Sequence, residues 1–175
     1  MDENPSNGYT FFAAQYVDYV KTQKWITEMK MDMLAFQYQG EAKSYQLAGR
    51  YNVELNPGKP FIEVPYWAMD EFATLLIMQD KYSQMQYYGG SLRMRRYCDP
   101  QALPSIYFRV SGHYIEVQPL DYVLINDFGE CQLALKQSVN NYWTLGMHAL
   151  NHYYIAYKMN DNGKDSMTVI PTDHG

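Results

Sequence analysis

No basic stripe runs through this sequence. Its 14 basic residues are outnumbered by 19 acidic ones, for a net charge of −5, and the one basic cluster, Arg93, Arg95 and Arg96, is isolated. A nucleic-acid partner is therefore not expected. No apolar run is long enough to be a transmembrane segment: Phe72–Met78 falls far short of the roughly 20 residues a helix needs to cross a bilayer. Residues 1–8 are polar and acidic and lack the basic start of a secretory signal, so they read as a polar lead. A Gly-rich phosphate loop and a Gly-x-Ser-x-Gly elbow are also missing, so neither phosphate-cradling nor Ser-His-Asp chemistry is indicated and no cofactor is expected. Internal repeats and low-complexity segments are absent too.

What is present is aromatic and sulfur-rich. The chain has 175 residues, long enough for one domain with a real core, and 18 of them are tyrosine and 11 methionine. Tyr offers large contact area with a polar tip, and both types are favoured at interfaces. A genome-wide compositional bias would give the same counts, so composition leaves both readings open.

Strand patterns dominate. In Leu103–Gly112 apolar residues alternate with a period near two, a Gly follows at the turn, and the run resumes to Pro119 and on through Leu124, which is a hairpin pattern. Over 23–36 the odd positions Trp25, Met29, Met31, Met33 and Ala35 are apolar while Glu28, Lys30 and Asp32 are charged, which predicts a half-buried strand, with another ahead of it in 11–20. Tyr38–Glu41 reads as a turn into a strand at 44–47. Pro65 opens an expected helix to about Gln79, with Asp70 and Glu71 in its first turns. The polar stretch 80–96, containing Gly89-Gly90, reads as a long excursion. Further strands are expected at 106–110, 114–117, 122–125, 132–136, 153–157 and 167–170, with a short helix over 145–151 and a turn at Asp161-Asn162-Gly163. The fold class is mainly β with one or two short helices.

Two patterns suggest ligands or paired acids. His148 and His152 lie four apart and would share one face of a short helix, but no Glu follows the first and no third ligand is evident. Polar helix residues are the better reading, and no metal is expected. Glu54 and Glu63 are candidate paired carboxylates, with a drifted surface loop as the preferred reading. Trp67 and Trp143 read as core aromatics.

Three blocks carry a resemblance. The hairpin stretch from Leu103 to Leu124 is one. The second is Trp143-Thr144-Leu145-Gly146, then Leu150, then Tyr153-Tyr154-Ile155-Ala156-Tyr157; the third is the pair Cys98 and Cys131 that brackets the hairpin. Together these resemble the carboxy-terminal lobe of the pepsin-like aspartic proteases from about Tyr9 onward. The resemblance implies a single pepsin-like lobe over 9–175 and a disulfide between Cys98 and Cys131. Two reduced thiols are the alternative. By chain entropy a bridge closing a loop of this size contributes about 3–4 kcal/mol, and it would imply an oxidising compartment, either the mitochondrial intermembrane space or a secretory or extracellular one.

The resemblance fails at the chemistry. Such enzymes use two aspartates, one per lobe, each in an Asp-Thr/Ser-Gly motif, and the pair shares one proton because two close carboxylates do not both ionise. The matching place in Tyr51–Gly58 puts Glu54 at the Asp, Leu55 at the hydroxyl residue and Asn56 at the Gly, and no Asp-Thr-Gly or Asp-Ser-Gly occurs anywhere in the sequence. Met147 stands where the family has an Asp after its Leu-Gly. A second lobe with the other aspartate has no counterpart in these residues. The reading that follows is a non-catalytic structural or accessory subunit whose partners are the other proteins of a larger complex, with a mitochondrial membrane complex as one setting. The alternatives are an aspartic endopeptidase half-chain, working as a dimer or with a separate lobe, and a peptide-binding module.

Overall fold

The computed structural model describes residues 9–12, 26–38, 41–110, 113–158 and 166–172. Its centre is a seven-stranded sheet built around one long hairpin: β2 (Ile26–Tyr38) and β3 (Glu41–Leu55) pair antiparallel along most of their length. A register shift between Met31 and Met33 interrupts the pairing of β2 with both neighbours. One extra residue flips the faces of a strand, and Phe36, the residue of 23–36 whose burial is described, is an even position that sits in the core, so a strict odd-position reading does not reach the end of the segment. Trp25 lies outside the described residues, as do most of 11–20, of which β1 (Tyr9–Phe12) is seen.

On one side of β2 comes the expected hairpin, β7 (Ser105–Val110) and β8 (His113–Val117). Ile106, Phe108, Val110, Ile115 and Val117 all point into the core with no exposed surface, so the period-two pattern holds residue by residue. On the other side β3 is followed by β12 (Trp143–Leu145), β4 (Ile62–Pro65) and β11 (Leu135–Ser138). A second sheet joins β1, β14 (Ser166–Pro171) and β13 (Tyr153–Lys158), and β9 (Val123–Ile125) pairs with β10 (Cys131–Leu133). The turn expected at 161–163 lies outside the described residues.

Three expected elements need correction. Pro65 ends a strand and does not open the helix; α1 runs Met69–Met78, after a turn closed by Ala68 N–H donating to the Pro65 carbonyl. β4 is invisible in the sequence because all four of its residues are buried, Glu63 included, so it shows no alternation. The excursion over 80–96 contains a hairpin, β5 (Met85–Tyr88) and β6 (Ser91–Met94), turned by Gly89 and Gly90 at φ +58° and +77°. Two successive left-handed glycines are what a two-residue hairpin turn requires. The buried Asp80 pins it, accepting the Met85 N–H at 2.6 Å, and buried Gln84 bonds both the N–H and the carbonyl of Asp99. The third correction is the helix expected over 145–151: Leu145 ends β12 and the residues after it form turns.

Trp143 sits at the middle of the core, edge-on to Phe72 at 5.5 Å and to Phe108 at 6.0 Å between ring centres. Trp67 does not join it. It lies in the turn before α1, is 39% exposed, and donates its indole N–H to the Asn141 carbonyl. Tyr122 ends the single helical turn α2 (Pro119–Tyr122) and donates to the Pro104 carbonyl at 2.6 Å from a fully buried position. Cys98 and Cys131 are bonded, with Cα atoms 6.1 Å apart, and tie the segment after β6 to β10.

Candidate functional site

The end of β3 is where two distant parts of the chain cross. Val53–Leu55 lies parallel to Trp143–Leu145, and β4 then returns antiparallel to β12, with Thr144 opposite both Glu54 and Glu63. The loop between β3 and β4 must pass over the end of β12, and Gly146 is what lets it. A Cβ there would come within 2.4 Å of the carbonyl oxygens of both Lys59 and Phe61. Hydrogen bonds hold the crossing: Asn56 N–H to the Leu145 carbonyl at 3.0 Å, and Met147 N–H to the Lys59 carbonyl at 2.6 Å.

Glu54 lies inside this crossing and has no exposed surface. Oε1 accepts the Asn56 side-chain amide at 2.8 Å, Oε2 accepts the Thr144 hydroxyl at 3.2 Å, and the Lys59 ammonium stands 3.7 Å from Oε2. Lys59 also meets Glu63 Oε2 at 3.2 Å, and Lys136 meets Glu63 Oε1 at 3.3 Å. The result is an alternating set of two carboxylates and two ammonium groups threaded between β3, β4 and β11. Burial alone would lower the Lys59 ammonium. The charge of Glu54, then the hydrogen bond and charge of Glu63, outweigh it and hold Lys59 above its ordinary value.

Glu54 and Glu63 are therefore brought together, but not as an acid pair sharing a proton. An ammonium group stands between them, and both belong to the sheet interior, which overturns the reading of a drifted surface loop. The three positions expected to replace the catalytic motif separate cleanly. Glu54 and Leu55 end β3 with both side chains buried, while Asn56 is the first residue of the loop and is partly exposed. Asn56 Oδ1 accepts the Gly58 N–H at 2.9 Å, and its backbone carbonyl accepts the Lys59 N–H at 3.1 Å. Lys59, Lys136 and Thr144 carry no signal in the sequence, because only the crossing of strands 90 residues apart brings Thr144 to Glu54.

His148 and His152 do not share the face of a helix. Residues 147–152 are turns, and His152 Nε2 instead meets Asp121 Oδ1 at 3.0 Å, while Asp121 Oδ2 accepts the Gln118 N–H. Among the described residues no group of three or more His, Cys, Asp or Glu is placed to hold a metal ion. Two surface clefts, of about 370 and 470 Å³, are both lined in part by Ile125 of β9, and neither includes the loop at 56–58. No described helix is long and apolar enough to cross a membrane.

The sequence matches the eukaryotic aspartyl protease family over residues 14–166. Among solved structures the chain is similar to conglutin gamma, a basic 7S globulin from lupine seeds, at a TM-score of 0.63 and 8% identity. That likeness covers 91% of this chain and 40% of the other, so the chain spans about two fifths of the length of that relative. No curated protein matches.

Proposed function

The chain belongs to the eukaryotic aspartyl protease family, and from that premise we propose that it is a catalytically inert member acting as a structural or accessory unit of a larger protein assembly. The observation that carries the proposal is the amide of Asn56. In the family motif the Gly stands two residues after the Asp. Gly58 stands two residues after Asn56, at the loop where β3 ends and the chain crosses β12. That spacing supports a register two residues later than the one expected from the sequence, with Asn56 at the Asp, Pro57 at the hydroxyl residue and Gly58 at the Gly. Glu54 is then an interior residue and not the acid. An amide neither ionises nor shares a proton with a second carboxyl, and Pro57 offers no hydroxyl, so both chemical roles of the motif are vacant.

Exposed apolar side chains support the accessory role. Val139, Tyr88 and Phe128 are 92%, 89% and 83% exposed, apolar and aromatic contact area that is open to a protein partner. The bonded cysteines fit an oxidising or extracellular setting. Within that setting two homes suit such a unit, the intermembrane face of a mitochondrial membrane complex and a secreted or lumenal assembly.

The test has two parts. Incubation with a denatured protein substrate at acid pH is expected to yield no cleavage. Pepstatin-sensitive cleavage that disappears in Asn56→Ala would establish a protease and end the proposal. Gentle purification from the native source, followed by non-reducing mass spectrometry, is expected to recover the chain in stoichiometric amounts with larger partners. Recovery as a lone monomer refutes the accessory role, and organelle fractionation chooses between the two compartments.

A further inference from the structure

We infer that Glu54 and Asn56 form an interlocked pair, in which the buried carboxylate fixes the loop amide and excludes an acid from position 56 at neutral pH. The orientation of the Asn56 amide is dictated from both sides. The Gly58 N–H has only a proton to offer, so the atom 2.9 Å away must be the amide oxygen. The amide nitrogen then faces Glu54 Oε1 at 2.8 Å, which is what a buried carboxylate oxygen needs. Both ends of the Asn56 side chain are thus engaged within the protein itself.

An aspartate placed at 56 keeps the Gly58 bond with one oxygen and aims the other at Glu54 Oε1. Two acceptor oxygens would then meet at about the distance of the present hydrogen bond, and only a shared proton relieves the contact. The charges around the pair do not rescue it. Lys59 from the loop, Glu63 from β4 and Lys136 from β11 already balance with Glu54 at two negative and two positive groups, and Thr144 from β12 is neutral. A fifth charge at 56 is uncompensated. The loss of the acid is therefore held in place by its neighbour: restoring an acid at position 56 requires a second change, at position 54. The pairing rests on distances alone, and its bearing on catalysis rests on the proposed placement of Asn56.

The variants Asn56→Asp, Glu54→Gln and the double mutant separate the possibilities, with urea unfolding followed at about pH 4.5 and pH 8, on either side of the raised carboxyl. In Asn56→Asp the pair holds a proton in the folded state, so one carboxyl titrates above its unfolded value. Its stability is present below the unfolded value and is lost as pH rises through the folded one. Relative to wild type, the unfolding constant of Asn56→Asp is expected to rise at least about threefold from the lower pH to the higher, because one unit of upward shift is worth about tenfold in full and pH 4.5, just above the unfolded value, has already lost part of it. In the double mutant the amide introduced at position 54 donates to the carboxylate introduced at position 56, while the amide oxygen still accepts from Thr144. The pH difference is then expected to disappear. A smaller rise in Asn56→Asp overturns the inference, and so does a double mutant that keeps the difference or fails to fold. If Asn56→Asp folds at neither pH and the double mutant folds at both, the interlock stands. Peptide cleavage by the wild-type chain would sink the proposed function while leaving the interlock untouched.

Discussion

Substituting Gly146 by alanine tests the strand crossing more sharply than any change to a charged residue. The added Cβ meets the carbonyl oxygens of Lys59 and Phe61, each at 2.4 Å, and both are backbone atoms. Ordinary van der Waals contact begins at 3.4 Å, so each carbonyl must retreat by about 1 Å, the difference between 3.4 and 2.4. Neither moves freely: the Lys59 carbonyl accepts the Met147 N–H, and Phe61 leads directly into buried β4. Overpacking that displaces backbone costs roughly 3 kcal/mol or more. For a domain of this size that corresponds to a fall in Tm of about 6–12 °C. Thermal unfolding of Gly146→Ala by circular dichroism measures it. The control is Gly89→Ala, where a Cβ meets nothing within 4 Å but the backbone sits at φ +58°. There the cost is conformational only, on the order of 1 kcal/mol. Equal and small shifts for the two variants would refute the reasoning, because the crossing would then tolerate a side chain that the geometry says has no room.

Three further outcomes follow from the same structure. Replacing both cysteines by serine opens the loop closed by Cys98 and Cys131, 33 positions apart, and is expected to lower unfolding free energy by about 3–4 kcal/mol; a loss below about 1 kcal/mol in urea unfolding would show that the reduced chain is already restrained. Lys59→Met leaves the buried Glu54 without its ammonium and is expected to cost about 3 kcal/mol at neutral pH. Because Lys59 titrates above its ordinary value, its contribution is fully present below the unfolded value and is lost as pH rises through the folded one. The gap between wild type and Lys59→Met should therefore narrow above about pH 10.5, and a gap that stays constant well beyond that contradicts this. The Tyr107 hydroxyl, raised to about 12 by burial and then by the neighbouring Glu116 charge, donates to Glu116 at 3.0 Å. The difference in ultraviolet titration between wild type and Tyr107→Phe should centre near pH 12, and a centre near the ordinary value of 10.0 disproves it.

Much of the sheet is readable because the signals that specify it are local. Period-two alternation in Ile106–Val110 and Tyr114–Val117 names the buried face of β7 and β8 without reference to any other part of the chain. The paired cysteines and the Trp143–Gly146 block point the same way through family resemblance. The Gly89-Gly90 pair is a hairpin signal that the polar sequence around it obscures. β4 cannot be found in this way. Its four residues are covered on both faces, so their order in the sequence has no period to detect, and a glutamate among them argues for the surface.

The candidate site divides along the same line. Residue identity at adjacent positions is enough to establish that no intact Asp-Thr/Ser-Gly motif exists. It is not enough to establish which residue stands at the loop. Glu54 and Asn56 are two positions apart, which in extended chain puts them on one face, so nothing in their order distinguishes an interior carboxylate from a partly exposed loop side chain. Folding makes the distinction, because the pairing of β3 with β12 buries Glu54 against Thr144 and ends the strand one residue before Asn56. Whether a charge lies inside or outside depends on what the rest of the chain lays over it, and those neighbours, Lys59, Glu63, Lys136 and Thr144, come from three separate segments.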